Sequence, residues 1–238
     1  MKNKILIGCS SYNNRYWKGI FYPDNLIASG MFEFYSQYFS TYEFNGSFYR
    51  FPTLKVFTNW YNKTPEEFLF SVKAPKEITH IKQFIDCENL ISEFYTVCKM
   101  GLKEKLACVL FQFPPSYKFT LERLNHIIKN LDLKFQNVIE FRHESWWNDT
   151  VWNAFLENNI TFCSVSHPQL PQTIFKDFPL IYIRLHGVPK MFYSSYSLQE
   201  LLHIRDETHL KSGFIYFNNT ASEAGILNAL ELQKIMNI

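Results

Sequence analysis

Short apolar runs alternate with longer helical patterns along the chain, and this alternation restricts the fold more than any other feature. The runs span five to eight residues and are rich in β-branched and aromatic side chains, which is typical of strands. Between them, segments such as Thr120 to Leu131 and Ser222 to Met236 carry apolar residues three and four apart, as amphipathic helices do. The eight strand candidates are Lys4 to Ser10, Thr41 to Asn45, Phe68 to Ala74, Leu106 to Phe113, Asn137 to Arg142, Thr161 to Ser166, Leu180 to His186 and Gly213 to Asn218. Strands that alternate with helices pair in parallel through right-handed crossovers.

Eight such strands are enough to close a barrel, so the predicted fold class is α/β, a single (β/α)8 TIM-like barrel. The length of 238 residues fits one domain of this kind, spanning residues 1–238. One interval is irregular, because Pro168, Pro171 and Pro179 leave little room for a helix after the sixth strand. We therefore predict that the sixth helix is short or absent. An open nucleotide-binding sheet is less favoured, since the sequence has no glycine-rich phosphate loop.

Composition narrows the classes of partner. The formal net charge of +2 is too small to be the electrostatic footprint of a nucleic-acid-binding protein, although a local basic patch is compatible with it. The five cysteines form an odd set without a C-x-x-C motif, which predicts reduced residues of the core. No segment has the pattern of a signal peptide or a membrane span, which predicts a cytoplasmic protein with no membrane partner. No oligomeric state is predicted.

Polar side chains gather on one face of the predicted strands, near their C-terminal ends. Residues two apart in a strand share a face, so Glu140 and Arg142 lie opposite Ile139 and Phe141. Six strands end in a polar residue on such a face: Asn45, Lys73, Gln112, Arg142, His186 and Asn218. Barrel enzymes build their active sites from the C-terminal ends of several strands, so we predict a ligand site there. The alternative is a salt-bridged rim without chemistry, in which glutamates neutralise the cations.

Aromatic residues crowd the loops that follow the first, fifth and seventh strands. They either stack on a ligand or cover the strands and bury one another. The predicted ligand contacts outside the strand ends are Tyr12, Trp17, Tyr49, Tyr196 and Asn219.

Eight ordered motifs link these positions to a known family. They are I-G-C-S-S-Y from Ile7, W-K-G-I-F-Y-P from Trp17, Y-E-F-N-G-S-F-Y-R from Tyr42, F-S-V-K-A-P from Phe70, L-F-Q-F-P-P from Leu110, E-F-R-H-E-S-W from Glu140, Y-I-R-L-H-G from Tyr182 and Y-F-N-N-T from Tyr216. In this order they resemble the YecE-like family, domain of unknown function 72, over nearly the whole chain. The resemblance implies a TIM-like barrel and no established activity. Family members often carry an acidic residue near the end of the sixth strand, where this chain has His167 as the candidate substitute.

The first functional hypothesis is an enzyme, a possible hydrolase, that acts on a small phosphorylated or otherwise anionic molecule. Lys73, Arg142 and Arg184 would bind the anion, since arginine clamps an oxyanion and lysine adds a point charge. The predicted catalytic residues are Glu43 or Glu140 as general base and His186 as acid or base, because an unperturbed imidazole titrates near neutrality. No cofactor and no metal ligand are predicted, and a divalent metal ion is left open.

Three alternatives belong to other classes. A nucleic-acid-binding protein resembling abasic-site endonucleases is the first, but metal ligands are sparse at the strand ends. A glycoside hydrolase that uses the two glutamates is the second. A non-catalytic protein that binds a small metabolite is the third. The remaining histidines, His80, His126, His203 and His209, have no partner at metal-ligand spacing and are not assigned a role.

Overall fold

The computed structural model describes residues 4–238, which form parallel sheets and helices. The strands are β1 (Ile5–Cys9), β2 (Thr41–Phe44), β3 (Leu69–Lys73), β4 (Leu106–Gln112), β5 (Asn137–Glu140), β6 (Ile160–Phe162), β7 (Ser164–Ser166), β8 (Ile181–Leu185) and β9 (Gly213–Phe217). The helices are α1 (Met31–Tyr38), α2 (Gly46–Tyr49), α3 (Leu54–Asn62), α4 (Glu88–Leu102), α5 (Leu121–Asn130), α6 (Asp149–Glu157), α7 (Leu198–Thr208) and α8 (Ala224–Met236). Shorter helical turns are Arg15–Trp17, Ala28–Gly30, Glu77–Ile81, Lys103–Lys105 and Glu144–Trp146.

The chain divides into two compact units. The first unit combines residues 4–43 with Ser164–Ile238, and the second is Phe44–Cys163. The strands form a four-stranded sheet in the order β1-β9-β8-β7 and a five-stranded sheet in the order β2-β3-β4-β5-β6. The α/β class with parallel sheets is therefore confirmed, and closure into one barrel domain stays a prediction.

Each of the eight strand candidates contains a strand, but the sixth is divided. The prediction of one strand from Thr161 to Ser166 is wrong, because β6 pairs with β5 whereas β7 pairs with β8. Cys163 lies between the two, and its N–H donates to the carbonyl of Ile139 at 2.9 Å. The run looks continuous in sequence because both parts are buried and apolar or small.

Helix α5 illustrates how local sequence sets an element. The Thr120 hydroxyl accepts a hydrogen bond from the N–H of Arg123, which caps the first turn. Leu124 and Ile127 are buried, whereas Leu121 is exposed. The helix lies within the predicted segment Thr120 to Leu131, and Leu131, directly after it, is also buried.

No helix is present between β7 and β8, as predicted from the prolines of this interval. The segment that replaces it is fastened to its neighbours by side chains. The N–H of Phe175 donates to the Ser164 hydroxyl at 2.9 Å. This arrangement leaves part of the four-stranded sheet without a helix over it.

Aromatic side chains fill the core of each unit. In the second unit, the rings of Phe141 and Trp146 stack with their centroids 3.8 Å apart, and Trp146 Nε1 donates to the carbonyl of Tyr117 at 2.7 Å. In the first unit, the Tyr35 hydroxyl donates to the Thr41 carbonyl and accepts the Cys9 N–H. All five cysteines are buried and none forms a disulfide, which confirms that they are core residues. None of the helices in residues 4–238 has the length and apolar character needed to cross a bilayer.

Candidate functional site

Four of the six predicted strand-end residues, Lys73, Gln112, Arg142 and Asn218, lie in two polar clusters, one within each unit. The Glu43 cluster of the first unit consists of Glu43, Tyr182, Arg184 and Asn218. The Lys73 cluster of the second unit consists of Lys73, His80, Gln112, Glu140 and Arg142.

The Glu43 cluster is a buried ion pair with two additional donors. Arg184 donates to both carboxylate oxygens of Glu43, from Nη2 to Oε1 at 2.7 Å and from Nε to Oε2 at 2.9 Å. The Tyr182 hydroxyl donates to Oε2 at 2.8 Å, and Asn218 Nδ2 donates to Oε1 at 3.1 Å. Two donors therefore occupy each oxygen, which is about the capacity of a carboxylate. This geometry makes Glu43 a group that positions Arg184, and it leaves little room for the general-base role predicted for Glu43.

Asn218 also offers an acceptor to the site. Its amide orientation is set by donation to Glu43, so its Oδ1 faces away from that carboxylate. Within the described part of the chain this oxygen is buried and accepts no hydrogen bond. A buried acceptor of this kind is usually satisfied by ordered water or by a ligand.

His186 and His167 lie side by side at the ends of β8 and β7. Both are buried, and their ring centroids are 6.0 Å apart with nearly perpendicular planes. The Nδ1 of His167 accepts the N–H of Gln169 at 3.1 Å. The histidine in place of the family's acidic residue is thus next to a predicted catalytic residue.

Tyr196 and Asn219 hold loops of the first unit together. The Tyr196 hydroxyl donates to Ser166 Oγ and accepts the N–H of Gly187, both at 2.9 Å. Burial raises the pKa of Tyr196 to about 12, which keeps the phenol protonated. Asn219 is fully buried and donates to the carbonyl of Ser194 at 2.9 Å. These contacts are structural, and the ligand contacts predicted for both residues stay predictions.

The aromatic residues predicted to contact a ligand have different surroundings. Trp17 is fully buried, and its Nε1 donates to the carbonyl of Ser222 at 2.9 Å. The ring of Tyr12 packs edge-on against Phe32 and is half-buried. Trp17 packs against the rings of Phe21 and Tyr22 in its own loop, and its predicted ligand contact stays a prediction. Tyr49, by contrast, is 77% exposed.

The Lys73 cluster gathers the ends of three neighbouring strands. Lys73 ends β3 and Gln112 ends β4, and Gln112 lies opposite Glu140 in the parallel register of β4 and β5. Lys73 Nζ donates to Gln112 Oε1 at 2.8 Å and lies 4.0 Å from the centre of the Phe48 ring. The parity argument therefore places Lys73 and Gln112 correctly.

Arg142 and Glu140 form the second contact of this cluster. Arg142 Nε donates to Glu140 Oε1, and Glu140 is fully buried whereas 13% of the Arg142 side chain is exposed. The buried carboxylate fixes the guanidinium at the edge of the sheet. Asn45 lies at the start of α2, and the hydroxyl of Ser47 in that helix donates to the carbonyl of Lys73.

His80 joins the cluster although the sequence analysis assigned it no role. Its ring packs edge-on against Phe48 with centroids 4.9 Å apart, and its Nδ1 pairs with the Thr79 hydroxyl at 2.9 Å. Burial, and to a smaller extent the positive charges of Lys73 and Arg142, lower the pKa of His80 to about 4, against a small opposing effect of Glu140. The sequence signal for His80 was its position after β3, because ligands of parallel sheets bind at the carboxyl ends of the strands.

We expect His80 to titrate near pH 4 instead of near its ordinary pKa of 6.5. Between these values the unfolded chain binds a proton at His80 and the folded chain does not. His80 therefore reduces stability as the pH falls from 6.5 towards 4 and contributes nothing above that window. Replacing Lys73 with Met should raise the pKa of His80, as measured by NMR of the imidazole Cε1 proton. A wild-type pKa at or above 6.5 would contradict this description.

The family model described as "Protein of unknown function DUF72" matches residues 6–238. The chain belongs to the DUF72 family. This result confirms the resemblance to YecE-like proteins and, as a family description, carries no activity or substrate.

Relatives of this DUF72 chain include two curated bacterial proteins. The UPF0759 protein YunF of Bacillus subtilis is 25% identical over 259 residues, covering 91% of this chain and 90% of YunF. The UPF0759 protein YecE of Escherichia coli is 28% identical over 117 residues, covering 48% of this chain and 42% of YecE.

Solved DUF72 structures share the fold. A DUF72 family protein from Thermotoga maritima superposes with a TM-score of 0.88 at 25% identity, covering 98% of this chain and 99% of that chain. One from Enterococcus faecalis gives a TM-score of 0.81 at 21% identity, covering 99% of this chain and 98% of that chain.

Residues 4–238 of this DUF72 chain contain no group of three or more His, Cys, Asp or Glu side chains arranged to hold a metal ion, so none is assigned as a metal ligand.

Proposed function

We propose that this DUF72 protein is an enzyme that acts on a small phosphorylated or otherwise anionic substrate, bound at the Lys73 cluster. The observation that carries the proposal is the placement of two cations at the ends of neighbouring strands, where Lys73 Nζ donates to Gln112 Oε1 at 2.8 Å and Arg142 donates to Glu140. The half-buried imidazole of His80 lies close enough for both cations to lower its pKa, in addition to the larger effect of burial. Two cations at the ends of β3 and β5, the parallel strands on either side of β4, suit an oxyanion. Glu140 contributes by orienting Arg142.

An anion bound between the two cations would also change the state of His80. Its negative charge would offset the effect of Lys73 and Arg142 and raise the pKa of the imidazole towards neutrality. A general acid or base works best when its pKa is near the working pH. His80 is thus a poor proton acceptor in the empty site and becomes an effective one when the substrate is present.

Hydrolysis is the reaction class that these groups serve most directly. His80 would take a proton from an attacking water molecule while Lys73 and Arg142 stabilise charge on the substrate. We assign the proton transfer to His80 in preference to Glu140, because the Glu140 carboxylate already accepts from Arg142 and is fully buried. Glu43 and His186 belong to the other unit, and their predicted catalytic roles are not used in this proposal.

Titration with inorganic phosphate tests the proposal. At low ionic strength we expect saturable binding by calorimetry and a rise in the pKa of His80 measured by NMR. Lys73→Met should weaken phosphate binding by about tenfold or more, since a charge-assisted hydrogen bond contributes roughly 1.5–3 kcal/mol. The matched control is Lys129→Met, which removes an exposed lysine of α5 and should leave binding unchanged.

Two results would contradict the proposal. One is the absence of phosphate binding to the wild-type protein at millimolar concentration and low salt. The other is equal phosphate affinity of the Lys73→Met and Lys129→Met variants, which would place any bound anion elsewhere.

A further inference from the structure

A cavity of about 330 Å³ lies in the first unit, where no helix connects β7 to β8. Its floor comes from β7 and β8, one wall is α7, and the other wall is the segment 172–174. The residues directly after this segment are anchored by the bond from Phe175 to Ser164 and by the ion pair between Lys176 and Glu207 at 2.9 Å. The volume is at the lower end of the range of about 300–1,000 Å³ typical of small-molecule sites.

The floor of the cavity is the face of the four-stranded sheet that points away from the Arg184 side chain. Ile183 and Leu185 alternate with Arg184 along β8, and the register places Ser164 and Ser166 beside them. Aliphatic side chains also line the walls, from Ile174 on the segment and Ile204 on α7. In α/β proteins a helix normally covers this face, so the cavity offers apolar surface that an apolar group can cover.

Most polar residues that line the cavity are uncharged, and Glu200 is the one carboxylate among the lining residues. None of its lining residues is lysine or arginine, whereas Glu200 and His203 both face it from α7. They are three residues apart, which puts them on the same side of the helix. Oε2 of Glu200 accepts the N–H and the hydroxyl of Ser197, each at 2.7 Å, and forms a capping box. Oε1 accepts no hydrogen bond from the residues that the structure describes.

Because the capping box places the Glu200 carboxylate at the helix N-terminus, the cavity favours a cationic ligand over an anionic one. A helix N-terminus ordinarily attracts anions, but here the Glu200 carboxylate already occupies that position. A second anion would meet this carboxylate without a cation to offset it. A cation would meet the carboxylate and the imidazole of His203.

We propose that this cavity binds a small primary amine whose body is apolar and about the size of one phenyl ring. The body would rest on Ile183 and Leu185, and the ammonium group would donate to Oε1 of Glu200. The proposal concerns the first unit and is independent of anion binding at the Lys73 cluster.

Benzylamine and benzoate form a matched pair of probes, because they share the ring and differ in charge. We expect saturable binding of benzylamine by ligand-observed NMR, with amide shifts confined to β7, β8, α7 and the segment 172–174. Benzoate should bind at least tenfold more weakly.

Three variants sharpen the test. Glu200→Gln keeps the capping box, since glutamine also serves in it, and removes the charge. We expect this variant to bind benzylamine about tenfold more weakly, which is about 1.4 kcal/mol. Thr173→Trp, at an exposed position of the cavity lining, should fill the cavity and abolish binding. Glu157→Gln, an exposed glutamate of α6, is the control and should bind as the wild type does.

Absence of saturable benzylamine binding at millimolar concentration would overturn the proposal. Equal or tighter binding of benzoate would overturn the assignment to amines. Unchanged affinity of Glu200→Gln, or shifts outside the named elements, would show that Glu200 and this cavity do not hold the ligand. Far-ultraviolet circular dichroism and thermal unfolding establish that each variant is folded.

Discussion

Replacement of Arg184 with methionine is expected to destabilise the protein by about 3–5 kcal/mol, the cost of removing one partner of a buried ion pair. Glu43 is fully buried, and only 3% of the Arg184 side chain is exposed. The variant leaves the Glu43 carboxylate in the interior with donors from Tyr182 and Asn218 but with no cation among the groups of its cluster. Urea unfolding measures the loss in free energy of unfolding.

Two comparisons separate this effect from a general loss of packing. The double variant Glu43→Gln with Arg184→Met removes the uncompensated charge and should recover a large part of the stability. Arg205→Met breaks the pair between Arg205 and Asp206, which are 39% and 63% exposed, and should cost less than about 1 kcal/mol. A loss in Arg184→Met as small as that in Arg205→Met would show that the buried pair is unimportant for stability.

Replacement of His80 with glutamine is expected to lower kcat for a phosphorylated substrate by about 10²–10⁴-fold, the usual contribution of a general acid or base. Glutamine retains polarity and cannot exchange a proton near neutral pH, whereas Lys73 and Arg142 still bind the anion. Phosphate affinity should therefore change little. Turnover of p-nitrophenyl phosphate and calorimetry with phosphate measure the two quantities separately.

His209→Gln is the matched control, because His209 is exposed at the end of α7. It should hydrolyse the substrate at the wild-type rate. Equal turnover of the His80→Gln and His209→Gln variants would remove His80 from the mechanism. A large loss of phosphate affinity in His80→Gln, without a loss in kcat, would assign it to binding instead.

The positions of the strands follow from sequence because each is a short buried run between polar turns. The faces of the strands also follow, since alternation with a period of two is a property of the backbone. Tyr182 and Arg184 do share a face and meet Glu43, and Lys73 meets Gln112 across two neighbouring strands. Parity thus predicts which residues share a face at the strand ends.

The alternation of residues along a strand does not predict which side chains are already hydrogen-bonded to another residue of the protein. Glu43 and Glu140 look alike in sequence as candidate bases, but each accepts from an arginine. That pairing depends on side-chain distances that a periodic pattern does not contain. It changes the role best supported for both carboxylates from proton transfer to positioning.

Residues delivered by loops and turns are the least predictable part of the site. His80 reaches the Lys73 cluster through the helical turn Glu77–Ile81, and no period relates it to β3. Trp17 is an aromatic residue suited to stacking on a ligand, yet it is fully buried against Phe21 and Tyr22 and donates to the Ser222 carbonyl. In both cases the outcome depends on the path of an irregular backbone, which local propensity does not determine.

A crystal soaked in tungstate tests the central claim most directly, because tungsten scatters anomalously and tungstate has the shape and charge of an oxyanion. We predict an anomalous peak within hydrogen-bonding distance of Lys73 Nζ and the Arg142 guanidinium, with the His80 ring beside it. A crystal with tungstate bound elsewhere, and only water next to Lys73 and Arg142 at a saturating concentration, would contradict the account.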